Sequence, residues 1–338
     1  MNNYLVKIPY LVALFVTFAI SSIRAEDVLP SWNDGEAKAS IIEFVEKTTT
    51  VGSPDFVPPA ERIATFDQDG TLWVEQPMYS VVLYALDRVP ALVKEKPALK
   101  DKEPFKTVLS GNKKAMAKLT LPDLEKIIAA TFTGISVDVF MAEVEKWITT
   151  AKDPRWNRPY TDLVYQPMLE VLEYLRANGY KTYIVTGGGQ DFVRVYSEQT
   201  YGIPPEQVIG TADTTTYGYD KNGKPFLTKD PKLLLNDNDG GKVEGIHLMM
   251  GRRPIAAFGN STGDKQMLEY TKAGSGLRLS MLVMHDDAKR EYAYGPANGL
   301  PDSKVGTFTQ ELYDEAKKDG WIVISMKDDW NTIFPFNP

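Results

Sequence analysis

The chain of 338 residues contains no cysteine and only two histidines, His247 and His285. Without cysteine it can form no disulfide, use no thiol nucleophile and carry no cysteine-linked lipid anchor. Two histidines also argue against a histidine-rich zinc site, so a bound metal should have oxygen ligands, which Mg²⁺ prefers. The 38 lysines and arginines are outnumbered by 45 acidic residues, and the net charge of −7 argues against a nucleic-acid partner.

A long apolar run is also missing. Residues 8–20 are almost wholly apolar, but they fall short of the roughly 20 residues that a spanning helix needs. Lys7 precedes this run, and the small residue Ala25 ends the segment after it. This order predicts a signal peptide over 1–25, with a retained membrane anchor as the alternative. The expected localisation is the bacterial periplasm or the medium, without stable membrane insertion after cleavage.

Predicted strands and helices alternate along the chain after a mostly helical stretch at 77–159. Strands are predicted at 63–67, 180–186, 254–258, 277–284 and 321–326, with a β-hairpin at 208–227. Helices are predicted at 35–48, 162–178, 190–199, 241–250, 264–271, 286–292 and 309–318. This alternation predicts an α/β fold in which helices cover both faces of a parallel sheet.

The most informative segment is the first of these strands, which leads into Asp67-Gln68-Asp69-Gly70-Thr71. In an extended backbone, residues two apart point the same way, so Asp67 and Asp69 should face one site. Adjacent carboxylates repel each other and favour a cation, a shared proton or water. Such a pair can supply a nucleophile and an acid/base group beside a metal-bound anion. The alternative is a surface turn, since Asp-Gly is a common turn pair.

Polar groups also follow later strands. Thr186 ends a predicted strand, and Gly187 begins a run of three glycines before a helix. A hydroxyl with backbone N–H groups at a helix start can bind an anion, although a flexible loop is the alternative. Lys242 stands at the start of another predicted helix, with Lys229 and Lys232 as other candidates for the same role. Asn260 and Asp264 lie in the polar loop after the strand at 254–258.

In this order the segments resemble the four motifs of the haloacid dehalogenase superfamily. The first resembles the Asp-x-Asp-Gly-Thr of its phosphatases, and the last resembles Gly-Asp-x-x-x-Asp with Asn260 in place of the first acid. The resemblance implies a Rossmann-like α/β core. It also implies that Asp67 attacks phosphorus and that Asp69 protonates the leaving alcohol and then activates water.

The same resemblance implies ligands for phosphate and metal. Thr186, Gly187 and Lys242 would hold the phosphate, and Mg²⁺ would be held by Asp67, Asp69, Asn260 and Asp264. An amide oxygen can bind a hard cation but brings no charge. The sequence therefore leaves open whether Asn260 or Asp264 touches the metal directly.

Asp69 distinguishes the branches of the superfamily. Dehalogenases and phosphonatases lack an acid at that position, so Asp69 implies cleavage of a C–O–P bond. The large helical insertion at 77–159 implies that the substrate is a small phosphate monoester. Two alternatives stay open. A binding protein could hold a phosphate ester without hydrolysing it, and a phosphotransferase could pass the phosphoryl group to another acceptor than water.

The segment between the first and second motifs is longer than a strand–helix–strand unit needs. The surplus, 77–159, resembles the helical C1-type cap of the phosphoserine phosphatase-like branch, inserted into a core formed by 26–76 and 160–338. Four residues just after the first motif are candidates for lining the substrate pocket: Trp73, Glu75, Gln76 and Tyr79. Packing between cap and core is the alternative for Trp73 and Tyr79. His285-Asp286-Asp287 follows a later strand and is expected to be a supporting or surface feature.

Overall fold

The structure is a computed structural model that describes residues 27–336. The predicted signal peptide at 1–25 lies outside the described residues. Within the described residues, seven strands form a single sheet: β1 (Ile63–Phe66), β2 (Lys181–Gly189), β3 (Val208–Tyr219), β4 (Pro225–Leu235), β5 (Ala256–Gly259), β6 (Leu279–Met284) and β7 (Ile322–Ser325). Their order across the sheet is β4-β3-β2-β1-β5-β6-β7.

The sheet is parallel except at one edge. The neighbours β3, β2, β1, β5, β6 and β7 all run parallel, whereas β4 pairs antiparallel with β3. This arrangement confirms the predicted α/β fold. The hairpin is longer than predicted, since β4 continues to Leu235 instead of ending at residue 227. The carboxyl ends of the parallel strands share one edge of the sheet, where active sites form in such folds.

Twelve α-helices are present in residues 27–336. They are α1 (Glu36–Thr49), α2 (Ser80–Glu95), α3 (Phe105–Leu109), α4 (Lys113–Met116), α5 (Leu121–Phe132), α6 (Val137–Ile148), α7 (Gln166–Ala177), α8 (Gln190–Arg194), α9 (Ser197–Tyr201), α10 (Gly240–Met250), α11 (Lys265–Lys272) and α12 (Gln310–Lys318). Within that same range, no helix is long and apolar enough to cross a membrane.

Two helix predictions were wrong in detail. The helix expected at 190–199 is divided into the short helices α8 and α9. The segment 286–292 contains a turn instead of a helix. Its Asp287 side chain accepts hydrogen bonds from the backbone of residues 289 and 290, while Arg290 reaches the carbonyl of Trp330 at 2.8 Å. These contacts with the C-terminal segment hold the chain in a turn where local periodicity indicated a helix.

The two central strands are buried on both faces. Every residue of β1 and of β5 is buried, which explains why both strands are almost continuous apolar runs. Phe66 and Phe258 stack between them with ring centroids 4.5 Å apart. This packing fixes the positions at which Asp67 and Asn260 leave the sheet.

The chain between β1 and α7 forms the five helices α2 to α6. The link between α5 and α6 is attached to the sheet edge, because Gly134 donates to the carbonyl of Lys229 at 2.8 Å and Lys229 donates back to Ile135 at 2.9 Å. The aromatic rings of Phe132 and Phe140 lie 4.8 Å apart, and Tyr84 connects them to Phe192 of α8. These helices therefore pack beside α8, which directly follows β2. That they act as a cap domain with the predicted bounds stays a prediction.

A matched pair of leucines tests the packing of this core. Leu172 on α7 is fully buried, whereas Leu248 on α10 is 64% exposed. We expect Leu172→Ala to lower the free energy of unfolding by about 2–5 kcal/mol because it leaves a cavity. Leu248→Ala should change it by less than about 0.5 kcal/mol. Urea denaturation of both variants checks this, and equal losses would contradict the arrangement of α7 against the sheet.

Candidate active site

The centre of the candidate site is a buried lysine between two carboxylates. The Nζ of Lys242 lies 2.5 Å from Oδ1 of Asp67 and 2.7 Å from Oδ1 of Asp264. It also donates to the carbonyl of Val185 on β2 at 2.7 Å. Groups from β1, β2 and the loop after β5 thus meet at one ammonium. Burial by itself would lower the pKa of Lys242, but Asp264 and Asp67 raise it, so the amine stays charged.

The chain reaches this position through a close turn before α10. A Cβ on Gly241 would lie 1.7 Å from the carbonyl oxygen of Asn236, so only glycine fits there. The N–H of Asp239 donates to the carbonyl of Gly263 at 3.1 Å, which joins this turn to the loop after β5. The other lysines considered lie elsewhere. Lys229 pairs with Asp191 at 2.5 Å, and Lys232 is exposed.

Asp69 lies beside Asp67 in an apolar setting suited to proton transfer. Its Oδ1 accepts a hydrogen bond of 2.7 Å from Nε1 of Trp73, whose ring stacks on Tyr196 at 5.0 Å. Burial raises the pKa of Asp69 to about 6, although Trp73 and Lys242 oppose that shift. A carboxyl with such a pKa can both donate and accept a proton near neutral pH.

Burial and a neighbouring carboxylate also disfavour the ionised form of Asp67. Burial raises the pKa of Asp67 well above its usual range, and the neighbouring Asp264 raises it further. The ion pair with Lys242 acts in the opposite direction and favours the carboxylate. Lys242 is therefore the group that favours the ionised form of Asp67.

The loop after β5 gives Asn260 and Asp264 different tasks. Oδ2 of Asp264 accepts from the backbone N–H of Asn260 at 2.9 Å and of Ser261 at 3.0 Å, while its Oδ1 accepts from Lys242. Both oxygens of Asp264 are thus occupied by donors. Oδ1 of Asn260 accepts from Thr71 at 3.2 Å and keeps a lone pair for a further ligand.

Thr186 lies in the same neighbourhood. Its buried Oγ1 accepts the N–H of Gly188 at 3.0 Å, which leaves the hydroxyl proton available for an anion. A Cβ on Gly188 would lie 3.7 Å from Oδ2 of Asp69, so the glycine end of β2 passes close to the paired carboxylates. Gly187 precedes it in the same strand, which continues to Gly189 instead of ending at Thr186 as predicted. The helix that follows, α8, has only five residues, so the hydroxyl and the glycine backbone are the relevant donors.

The donor chemistry of the site fits a hard divalent cation. The buried carboxylates of Asp67, Asp264 and Asp237 act on the ammonium of Lys242, and Asp69 and Glu75 are buried nearby. A metal would offset this negative excess, and carboxylate and amide oxygens are suitable ligands. In the part of the chain that the structure describes, no three acidic or histidine side chains form a ready-made metal cluster. The fit therefore depends on mixed donors, including Asn260.

The residues predicted to line the substrate pocket are used in internal contacts. Trp73 and Glu75 are buried, and their polar atoms bind Asp69 and Asn260. Nε2 of Gln76 donates to Ser303 and Val305, and the hydroxyl of Tyr79 accepts the N–H of Gly306 at 3.0 Å. All four thus connect the first motif to the rest of the core. That they touch substrate stays a prediction.

Sequence reasoning missed a buried group of side chains behind the first motif. The imidazole Nε2 of His285 lies 2.8 Å from the carbonyl oxygen of Gly70, and Nδ1 lies 3.1 Å from Oε2 of Glu291. A carbonyl only accepts, so Nε2 must carry a proton and donate it. The ring of Tyr294 stacks on His285 at 4.4 Å. No local motif indicates these contacts; the one signal was the position of His285 just after a strand.

The structure has an α/β core with a mostly parallel sheet and with paired aspartates after its central strand β1. The chain belongs to the haloacid dehalogenase-like hydrolase family, whose model matches residues 64–269. This confirms the resemblance drawn from the motifs at the level of the family. A search of curated proteins finds no match.

Several solved structures share parts of this fold at low identity. A conserved protein of unknown function from Anaerococcus prevotii is 15% identical with a TM-score of 0.48, covering 74% of this chain and 86% of its own. A protein of unknown function from Bordetella pertussis is 18% identical with a TM-score of 0.47, covering 78% and 98%. A phosphoserine phosphohydrolase-like protein from Francisella tularensis is 18% identical with a TM-score of 0.36, covering 66% and 88%.

The central ion pair can be tested by its effect on stability. Lys242→Met would leave Asp67 and Asp264 buried without their cation, and we expect a loss of about 3–5 kcal/mol in the free energy of unfolding. The matched control is Lys265→Met, because Lys265 forms a more exposed pair with Glu315 at 2.8 Å. That change should cost no more than about 1 kcal/mol. Chemical denaturation of both variants measures these changes. Similar losses in the free energy of unfolding would contradict the central role of Lys242.

The raised pKa of Asp69 predicts a pH-dependent gain in stability when its charge is removed. The folded form binds this proton more tightly than the unfolded form, so stability is lost as pH rises from 3.8 through about 6. In metal-free protein, Asp69→Asn should therefore raise the free energy of unfolding by up to about 3 kcal/mol at pH 8, and by little at pH 4. The amide can still accept from Trp73.

Thermal or urea unfolding in EDTA at both pH values measures this difference. Asp101→Asn is the control, because Asp101 is exposed. The same change at pH 4 and pH 8, or a loss at pH 8, would show that burial does not disfavour the Asp69 carboxylate.

Proposed function

We propose that the protein is an exported, Mg²⁺-dependent phosphatase that hydrolyses a small phosphate monoester through an aspartyl-phosphate intermediate. The observation that carries this proposal is the cluster of Asp67, Asp69 and Lys242 at the carboxyl end of β1. The match to the hydrolase family supports the hydrolytic reaction, and the paired carboxylates beside a lysine support a metal-assisted attack on phosphorus. Export depends only on the sequence pattern of residues 1–25.

In the first step a carboxylate oxygen of Asp67 attacks phosphorus and the bond from phosphorus to the ester oxygen breaks. Lys242 engages Oδ1 of Asp67, which leaves Oδ2 for the new bond. The proton on Asp69 passes to the leaving alcohol oxygen. A pKa of about 6 allows Asp69 to hold this proton in part of the enzyme near neutral pH.

In the second step the Asp69 carboxylate takes a proton from a water molecule. The water oxygen attacks the phosphorus of the acyl phosphate, which releases inorganic phosphate and restores the Asp67 carboxylate. Thr186 and the N–H groups of the glycine end of β2 beside Asp69 are the donors proposed for the phosphate oxygens. When bound by Asp67, Asp69 and Asn260, Mg²⁺ would supply positive charge to the phosphate.

The geometry favours Asn260 over Asp264 as the direct metal ligand. Both oxygens of Asp264 already accept hydrogen bonds, whereas Oδ1 of Asn260 has one donor. The uncharged ligand is also the feature that favours the second candidate function, a protein that binds a phosphate ester without turnover. Low metal affinity would leave such a protein able to bind but not to react.

Phosphate release from a panel of phosphate monoesters, including p-nitrophenyl phosphate, tests the proposal. The chain from Glu26 onward is assayed with Mg²⁺ and with EDTA, next to Asp67→Asn and the exposed control Asp101→Asn. We expect release that requires Mg²⁺ and that falls about 10³-fold or more in Asp67→Asn, because the nucleophile is lost. The control should keep full activity.

Other outcomes separate the alternatives. Asp67→Asn with most of its turnover intact would overturn the aspartyl-phosphate mechanism. Tight binding of esters by folded, Mg²⁺-loaded protein without any release would favour the binding protein. Added alcohols that divert the phosphoryl group from water would identify a phosphotransferase.

A further inference from the structure

Glu75 has a carboxylate buried against the loop after β5, although it lies outside the four motifs. The residue is 2% exposed. Its Oε1 accepts from Nδ2 of Asn260 at 2.7 Å and from the hydroxyl of Tyr294 at 2.7 Å. Asn260 is separated from it by 185 positions, so the tertiary fold creates this contact. A buried carboxylate with two donors is a built feature of the site.

Two glycines make room for this carboxylate. Gly70 and Gly306 both have positive φ angles, +79° and +64°. A Cβ on Gly70 would lie 2.4 Å from Oε1 of Glu75, and a Cβ on Gly306 would lie 1.7 Å from the same atom. The backbone of the first motif and that of the segment near residue 306 therefore both close around the Glu75 carboxylate.

The contact determines which end of the Asn260 amide faces the reacting groups. An amide has one donor end and one acceptor end, and a carboxylate accepts only. Glu75 therefore takes Nδ2, and Oδ1 turns to Thr71 at 3.2 Å. The opposite orientation would place the amide oxygen against the carboxylate at 2.7 Å, which is repulsive.

The same contact places the carboxyl group of Glu75 directly behind an uncharged ligand. Burial raises the pKa of this carboxyl group, whereas the hydroxyl of Tyr294 favours its ionised form. Asn260 offers an oxygen to a cation without any charge of its own. Glu75 touches the other end of that amide, and electrostatic attraction in a buried site acts over this short distance. The loop after β5 thus presents the neutral amide of Asn260 to a cation, with the carboxyl group of Glu75 in contact with the opposite end of that amide.

We propose that Glu75 is a positioning residue that orients the Asn260 amide and supplies the negative charge which this loop lacks. The charge part rests on the proposed Mg²⁺ site, whereas the orientation part does not. If so, exchanging the two groups, with a glutamine at position 75 and an aspartate at position 260, should preserve both the hydrogen bond and the total charge. This reciprocity makes the proposal testable by exchanging the two groups.

The experiment compares Glu75→Gln, Asn260→Asp and the double variant in the full chain. Asn260→Asp alone places two carboxylates in contact, so the melting temperature in EDTA should fall by several degrees. In the double variant, the amide introduced at position 75 can donate to the carboxylate introduced at position 260, and the total charge is unchanged. We expect its melting temperature to return towards that of the parent chain. The two substitutions together should therefore lower the melting temperature less than Asn260→Asp does alone.

Titration calorimetry with MgCl₂ alone measures the effect of charge. Glu75→Gln should weaken Mg²⁺ binding about tenfold or more, and the double variant should recover it. Glu125→Gln on α5 is the matched control, since it removes the same charge from an exposed position. It should change neither the melting temperature nor the binding of Mg²⁺.

Two results would overturn the proposal. Additive changes in melting temperature, without rescue in the double variant, would show that Glu75 and Asn260 are not coupled. Coupling in EDTA with unchanged Mg²⁺ binding in Glu75→Gln would remove the charge role. Neither the melting temperature nor Mg²⁺ binding requires turnover. If the chain hydrolyses no ester, the proposed function is overturned, but the melting-temperature test of the Asn260 orientation stays valid.

Discussion

The ammonium of Lys242 is the group on which the rest of the site depends. It joins Asp67 after β1 to Asp264 after β5 and also reaches a carbonyl of β2, so it connects three neighbouring strands at their carboxyl ends. A buried pair of carboxylates would be strongly unfavourable without such a cation. The close turn at Gly241 brings this side chain inward, and the hydrogen bond from Asp239 to Gly263 attaches that turn to the loop after β5.

The carboxylates around this ion pair have different hydrogen-bond partners, which give them different properties. Asp67 is held by Lys242, whereas Asp69 is held by the indole of Trp73 in an apolar setting that raises its pKa to about 6. Asp264 uses both oxygens to accept from the lysine and the backbone, and Glu75 supports Asn260 from behind. Four acids in one small volume thus differ in what they can do because each has different hydrogen-bond donors.

Much of this could be predicted from local sequence. The run of buried residues before Asp67, the glycines after Thr186 and the polar loop at Asn260 each mark the end of a strand, and parallel strands bring such ends together. The prediction failed where contacts from distant segments override local pattern. The turn at 286–292 is held by contacts of Arg290 with the C-terminal segment, and β4 extends beyond the predicted hairpin. Periodicity within a short window contains no information about either contact.

The sequence by itself determined the α/β class, the family and the order of the reacting groups, because strand patterns and adjacent motifs are local. It also predicted that Asp67 and Asp69 face one site, from the alternation of side chains in an extended backbone. Only the tertiary structure decided that Lys242, and not Lys229, meets Asp67, and that Glu75 and His285 support the loops from behind. The physical reason is that these contacts join elements far apart in the chain, and their partners are chosen by how helices and loops pack on the sheet.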